Sequence, residues 1–172
     1  MRIIVLNGSP HVRGNTSFMV DAFVRGARQS DHGIRVLPVG TMQVYGCMGC
    51  NHCKAAGGMC VFEDGQQEVV EALSKADMLV LASPIYYFMI SAQLEATIQR
   101  MHAMGFLPNV KQTALLLSSG SNGVQDAAVR QYHMIFQEYL GMQDVGVIMA
   151  PGRENRSRAL EERLMEFDVQ LD

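Results

Sequence analysis

Apolar residues fall into two alternating patterns along the chain. Short continuous runs occupy residues 3–6, 34–39, 78–82, 114–117 and 145–149. Their length, and in most of them the lack of polar interruption, predict buried strands, as in a parallel sheet covered by helices on both faces. Between these runs, apolar positions recur three and four apart. One stripe is Val20, Phe23, Val24 and Ala27, and another is Leu94, Ile98 and Met101. Ala128, Tyr132, Ile135, Phe136 and Tyr139 form a third, and Leu160, Leu164, Phe167 and Leu171 a fourth. That spacing belongs to helices with one face on a core. Asp64 with Gln67 three positions on reads as a capping box ahead of Val69, Val70 and Leu73.

Strict alternation of strand and helix predicts an α/β fold with right-handed crossovers. Five strands closing on a helix predict a flavodoxin-like, three-layer sandwich: a five-stranded parallel sheet in the order 2-1-3-4-5, spanning residues 1–172 as a single domain. Ligands of such sheets bind beyond the carboxyl ends of the strands where the winding reverses, here between strands one and three. One connection breaks the rhythm. Residues 40–63, after strand two, hold all four cysteines, in a link far beyond the ~12–15 residues at which structureless loops become uncommon.

Composition narrows the partners. A hydrophobic share of 48% with 18% charged residues is ordinary for a globular protein. The net charge of −3, with no run of Lys or Arg, argues against nucleic acid and anionic membranes as partners. The apolar start at residues 3–6 is too short for a signal peptide, so the expected location is cytoplasmic. The thirteen methionines read as adaptable filler for the core or for subunit contacts.

Strand one runs into Gly8-Ser9-Pro10-His11-Val12-Arg13-Gly14-Asn15-Thr16-Ser17. Gly8 and Gly14 permit tight turns that aim successive N–H groups at one anion, and the helix start adds unpaired donors and a favourable dipole. Ser9, Thr16 and Ser17 offer hydroxyls, Arg13 a charge. These features suit a phosphate monoester; a plain glycine-rich helix cap is the alternative. A Walker loop would need Lys where Asn15 stands, and a Gly-x-Gly-x-x-Gly fingerprint is absent.

Cys47, Cys50, Cys53 and Cys60 are spaced by two, two and six residues. Four thiolates at short spacing can wrap a [4Fe–4S] cluster. Structural zinc usually takes two separate Cys-x-x-Cys pairs, whereas here the pairs share Cys50. Reduced thiols or a reversible disulfide are the third alternative.

With Ser83-Pro84-Ile85-Tyr86-Tyr87 after the third strand, these motifs make the chain resemble the NADPH-dependent FMN reductase branch of the flavodoxin superfamily, and within it the iron–sulfur flavoproteins. The resemblance implies that Ser9, Arg13, Asn15, Thr16 and Ser17 hold the FMN phosphate, and that Pro84, Ile85, Tyr86 and Tyr87 contact the flavin. Ser119 and Gly120, in a polar loop after the fourth strand, stand at the same edge. It further implies Cys47, Cys50, Cys53 and Cys60 as cluster ligands and NAD(P)H as electron donor. A small-molecule or protein electron acceptor and a homodimer or homotetramer complete what it implies. No protein nucleophile or general base is needed, so no histidine is assigned a catalytic role. The sequence departs from that family at Phe88 and Met89, where a glycine is common. Two other readings remain: a non-enzymatic electron carrier, and a thiol- or metal-binding module on a vestigial flavodoxin fold.

Overall fold

The computed structural model of the chain describes residues 1–105, 107 and 109–167. Its strands are β1 (Arg2–Asn7), β2 (Gly33–Leu37), β3 (Met78–Tyr86), the two-residue β4 (Met89–Ile90), β5 (Gln112–Ser119) and β6 (Gln143–Pro151). The parallel sheet runs β2-β1-β3-β5-β6, with β4 paired antiparallel to the end of β3. Setting β4 aside, this is the order the alternation predicts. The helices are α1 (Asn15–Gln29), α2 (His52–Ala55), α3 (Gln66–Leu73), α4 (Ala92–Arg100), α5 (Asp126–Tyr132) and α6 (Arg158–Glu166).

Period-two alternation divides each central strand between two cores. Ile3 and Val5 of β1 pack with Met19, Val20 and Phe23 of α1 and Leu160 and Leu164 of α6. Ile4 and Leu6 pack with Val69 and Leu73 of α3, Leu94 of α4, and Ala128 and Tyr132 of α5. All four β1 residues are at most 6% exposed, so neither face of the strand tolerates a polar residue. Phe23 and Phe167 meet edge-on at 6.1 Å between the outer helices of the first core.

Two expectations change on contact with the structure. Residues 133–139 continue α5 as wider π-helical turns, with the Leu140 N–H reaching five residues back to the Ile135 carbonyl at 3.0 Å. The stripe therefore rotates: Tyr132 and Phe136 stay buried, while Tyr139 is 75% exposed. Leu171 lies outside the described residues. Residues 83–86 are not a loop but the continuation of β3, in register with β5 as far as Pro84 opposite Ser118. Pro84 is tolerated because β1 ends at Asn7 opposite Ala82, leaving β3 without that neighbour from Ser83 on.

The hairpin that follows is unusual. Tyr86 pairs with Met89 across a two-residue turn in which Tyr87 has φ 48° and Phe88 φ 68°. Both central positions of such a turn require left-handed backbone, which favours Asn-Gly and penalises bulky residues by about 1–2 kcal/mol each. The paired substitution Tyr87→Asn with Phe88→Gly is expected to raise stability by about 1–2 kcal/mol, read as a higher urea midpoint. An unmoved or lower midpoint would show that no strain resides in the turn.

Candidate functional site

β1 ends on Asn7, whose buried amide organises the turn beyond it. Its Oδ1 accepts from the Ser9 N–H at 3.0 Å, and its Nδ2 donates to Ser17 Oγ at 3.1 Å. Ser17 Oγ donates to the His11 carbonyl at 3.1 Å, and the same carbonyl accepts from the Gly14 N–H at 2.9 Å. The loop is thus wound on its own hydrogen bonds before α1 begins. Gly14 caps α1 in extended conformation, no side chain caps the helix, and its first turn carries no acidic residue. The unpaired N–H groups and positive end of a 15-residue helix are left for an external anion.

That helix start opens into a cavity of about 390 Å³. Ser9, Asn15 and Thr16 line it from the loop after β1, and Pro84, Ile85 and Tyr86 from the end of β3. Ser119 and Gly120 line it from the end of β5. Three other predicted residues stand outside this lining. Arg13 is exposed and its carbonyl accepts from Arg156; Ser17 serves the loop's internal bonds; Tyr87 sits on the hairpin tip, 97% exposed. The hydroxyls of the cavity are held in place: Thr16 Oγ1 bonds Ser118 Oγ at 2.7 Å, and Gln125 Nε2 donates to Ser119 Oγ at 2.6 Å.

Sequence reading missed the contribution of the loop after β6. Asn155 lines the cavity, donating from Nδ2 to the Ser119 carbonyl at 2.8 Å and the Gly152 carbonyl at 3.0 Å. Its Oδ1 is buried without a partner among the described residues, an acceptor open to a ligand donor. Arg156 donates from Nε to Asn15 Oδ1 at 3.0 Å and so ties this loop to the start of α1. The one available signal was positional, since residues after a fifth strand emerge at the same sheet edge.

The cysteines form a second site. All four are free, Cys47 and Cys50 exposed and Cys53 and Cys60 half-buried. They line one cavity of about 70 Å³ together with Phe62, Arg100 and His102. The segment bends sharply at Gly49, Asn51, Gly57 and Gly58, whose φ values run from 57° to 91°. Among the described residues, no three His, Cys, Asp or Glu are gathered as a site for a metal ion. Zinc needs four ligands ~2.3 Å from one centre, whereas a cubane takes each thiolate on a separate iron. The four thiols of this cavity are the donor set that either group would draw on.

Asp64 and Arg100 anchor this segment to the end of α4. Their side chains form an ion pair, each only 2% exposed. Asp64 also accepts from the Tyr45 N–H at 2.9 Å and the Gln66 N–H at 3.0 Å, and its own N–H donates to Gln67 Oε1 at 2.8 Å. Burial pushes the Asp64 carboxyl up, but Arg100 and the two backbone N–H groups outweigh it and hold the carboxyl below its ordinary range. The capping box legible in sequence is therefore half of a larger lock. A wider groove of about 610 Å³, walled by Met101, Met104, Leu107 and Ile135, adjoins the cysteine cavity. Its size exceeds that of the polar cavity, but the uncapped helix and the orphaned acceptor are in the latter.

The chain matches the sequence model of the NADPH-dependent FMN reductase family over residues 1–154. It is 30% identical to an iron–sulfur flavoprotein of Methanocaldococcus jannaschii, across 79% of this chain and 72% of that one. Its fold is similar to that of the NAD(P)H:quinone oxidoreductase from Methanothermobacter marburgensis, with a TM-score of 0.75 and 16% identity over 98% of this chain and 93% of the other. It is also similar to an FMN-dependent NADH-azoreductase of Bacillus anthracis solved with FMN, with a TM-score of 0.71 and 14% identity over 99% of each chain. With the match reaching from β1 through the loop after β6, this chain belongs to the NADPH-dependent FMN reductase family, which it shares with iron–sulfur flavoproteins.

Proposed function

We propose that the chain is an FMN-dependent NAD(P)H oxidoreductase that binds FMN in the polar cavity and an iron–sulfur cluster at Cys47, Cys50, Cys53 and Cys60. The observation that carries the flavin reading is the uncapped start of α1 opening into a cavity that also holds the orphaned Asn155 Oδ1. Ser9, Asn15, Thr16 and the first N–H groups of α1 receive the phosphate. Arg13 and Ser17 act on the loop around it, the first from its exposed rim and the second by fixing its shape. Pro84, Ile85 and Tyr86 form one flank for the flavin, with Tyr87 beyond them at the rim, and Ser119, Gly120 and Asn155 offer polar contacts across from it.

FMN bound there supplies hydride acceptance from NAD(P)H and electron delivery to an acceptor. The chain's own residues bind and orient it; none is required as nucleophile or general base. The acceptor is a small molecule or a protein. Tyr86, Tyr87, Phe88 and Met89, all at least 44% exposed beside the cavity, suit a contact with a second copy in a homodimer or homotetramer. Four unpaired thiols suit the reducing cytoplasm; among the described residues no helix is long and apolar enough to cross a membrane.

Titration with FMN is expected to reach one equivalent per chain, and anaerobic NADPH or NADH then to bleach the bound flavin. Failure to take up FMN removes the cofactor reading, and flavin left yellow by both nucleotides removes the reductase reading. Iron and acid-labile sulfide are expected in protein purified without oxygen; their absence removes the cluster alone.

A further inference from the structure

Among the described residues, Arg100 is the one strongly basic side chain at the wall of the cysteine cavity, and it is 2% exposed. A buried guanidinium is costly unless its donors are matched. Nη1 is matched, donating to Asp64 Oδ2 and to the Tyr45 carbonyl, the latter at 3.3 Å. The guanidinium carbon sits 5.3 Å from the centroid of the Phe62 ring, so the plane is fixed as well as paired. Nε is not matched: it is buried with no hydrogen-bond partner among the described residues.

Cys60 stands beside this guanidinium. The two residues line the same cavity of about 70 Å³. Arg100 lines the cavity with the four cysteines, whereas Asp64 is not among the lining residues. The ion pair is therefore a dipole with its positive end toward the thiols.

We propose that Arg100 is a positioning residue for the redox centre, holding a fixed positive charge and an unpaired buried N–H at the wall of the cysteine cavity and thereby raising the reduction potential of the cluster. This rests on the reading that the four cysteines carry a cluster. Reduction adds one electron to a centre already surrounded by thiolates. A nearby positive charge in a medium of low polarity, and hydrogen bonds to the sulfurs, stabilise that added negative charge. Asp64 moderates the effect and also keeps Arg100 from swinging out to water.

The test is a redox titration of the cluster in the full chain loaded with FMN and iron–sulfur, followed by electron paramagnetic resonance. Two variants are compared with the parent. Asp64→Asn combined with Arg100→Gln replaces the ion pair by a neutral hydrogen-bonded pair and leaves no bare buried charge. Arg100→Lys keeps the charge but loses Nε and the planar fork. The ratio of reduced to oxidised cluster at a fixed potential is expected to fall about tenfold in the first, a shift of about 59 mV for one electron, and about threefold in the second.

A midpoint unmoved in either variant, with iron and FMN at parental levels, overturns the proposal. Should the paired variant not fold, the Lys variant decides by the same criterion. Loss of iron from both variants with FMN retained assigns Arg100 to scaffolding alone and overturns it too. A parent chain free of iron and sulfide overturns the cluster reading and this inference with it, so the two failures are told apart.

Discussion

Gly40→Ala is expected to weaken FMN binding about 100-fold and to lower stability by about 3 kcal/mol. Gly40 opens the cysteine-bearing connection, yet it packs on the phosphate loop. Its N–H donates to the Asn7 carbonyl at 2.9 Å. A Cβ at this position would stand 2.2 Å from the Ser9 carbonyl oxygen, 2.3 Å from the Ser9 carbonyl carbon and 2.6 Å from the Gly8 carbonyl carbon. All three are backbone atoms, so no side chain can rotate away to make room. Either the Gly40–Asn7 hydrogen bond breaks or Gly8 and Ser9 shift, and Ser9 is the residue through which Asn7 and His11 organise the loop. Displacing it misaims the donors meant for one terminal phosphate. At about 1.4 kcal/mol per tenfold, a strain near 3 kcal/mol borne by the loop accounts for the predicted loss. Fluorescence titration of FMN with a parallel urea denaturation measures both. Affinity within threefold of the parent would mean that the two segments are not mechanically joined.

The sheet was legible because both faces of each central strand are apolar, and such runs leave few alternatives to a helix-covered parallel strand. The phosphate loop was legible for a different reason: its glycines, hydroxyls and helix start are contiguous, so their joint purpose survives without tertiary information. Contributions that cross the fold were not. Asn155 meets Ser119 across 36 positions, and Arg100 meets Asp64 across the same number. Nothing local distinguishes a buried Arg at the end of an amphipathic helix from a solvated one. The same limit explains β3. Pro84 reads locally as a strand break, and only the early end of β1 makes it harmless. Tyr87 and Phe88 violate the residue preferences of their turn, so no propensity argument finds it. Tyr139 was misplaced because a stripe counted at 3.6 residues per turn loses phase where π-helical turns intervene.

Asp64→Ala carries the second large effect, an expected loss of about 3–5 kcal/mol. The change leaves the Arg100 guanidinium buried with the neutral Tyr45 carbonyl as acceptor but no carboxylate, and the cost of that uncompensated charge exceeds the net worth of the pair itself. It also strips the acceptor from the N–H groups of Tyr45 and Gln66, so the entry to the cysteine segment and the start of α3 come loose together. Asp64→Asn retains an acceptor and is expected to lose less. The pH dependence has a definite sign. The folded-state carboxyl is held below its unfolded value, so its stabilisation is complete above about pH 4 and drains away as pH falls through the lower folded value. Protonated Asp64 then resembles Asn. Urea midpoints of the parent and the Asn variant should accordingly differ at pH 7 and converge as pH falls below about 4. A gap that stays constant down to pH 2.5 would assign the loss to packing rather than to the charge, and with it the anchoring of the cysteine segment to something other than the ion pair.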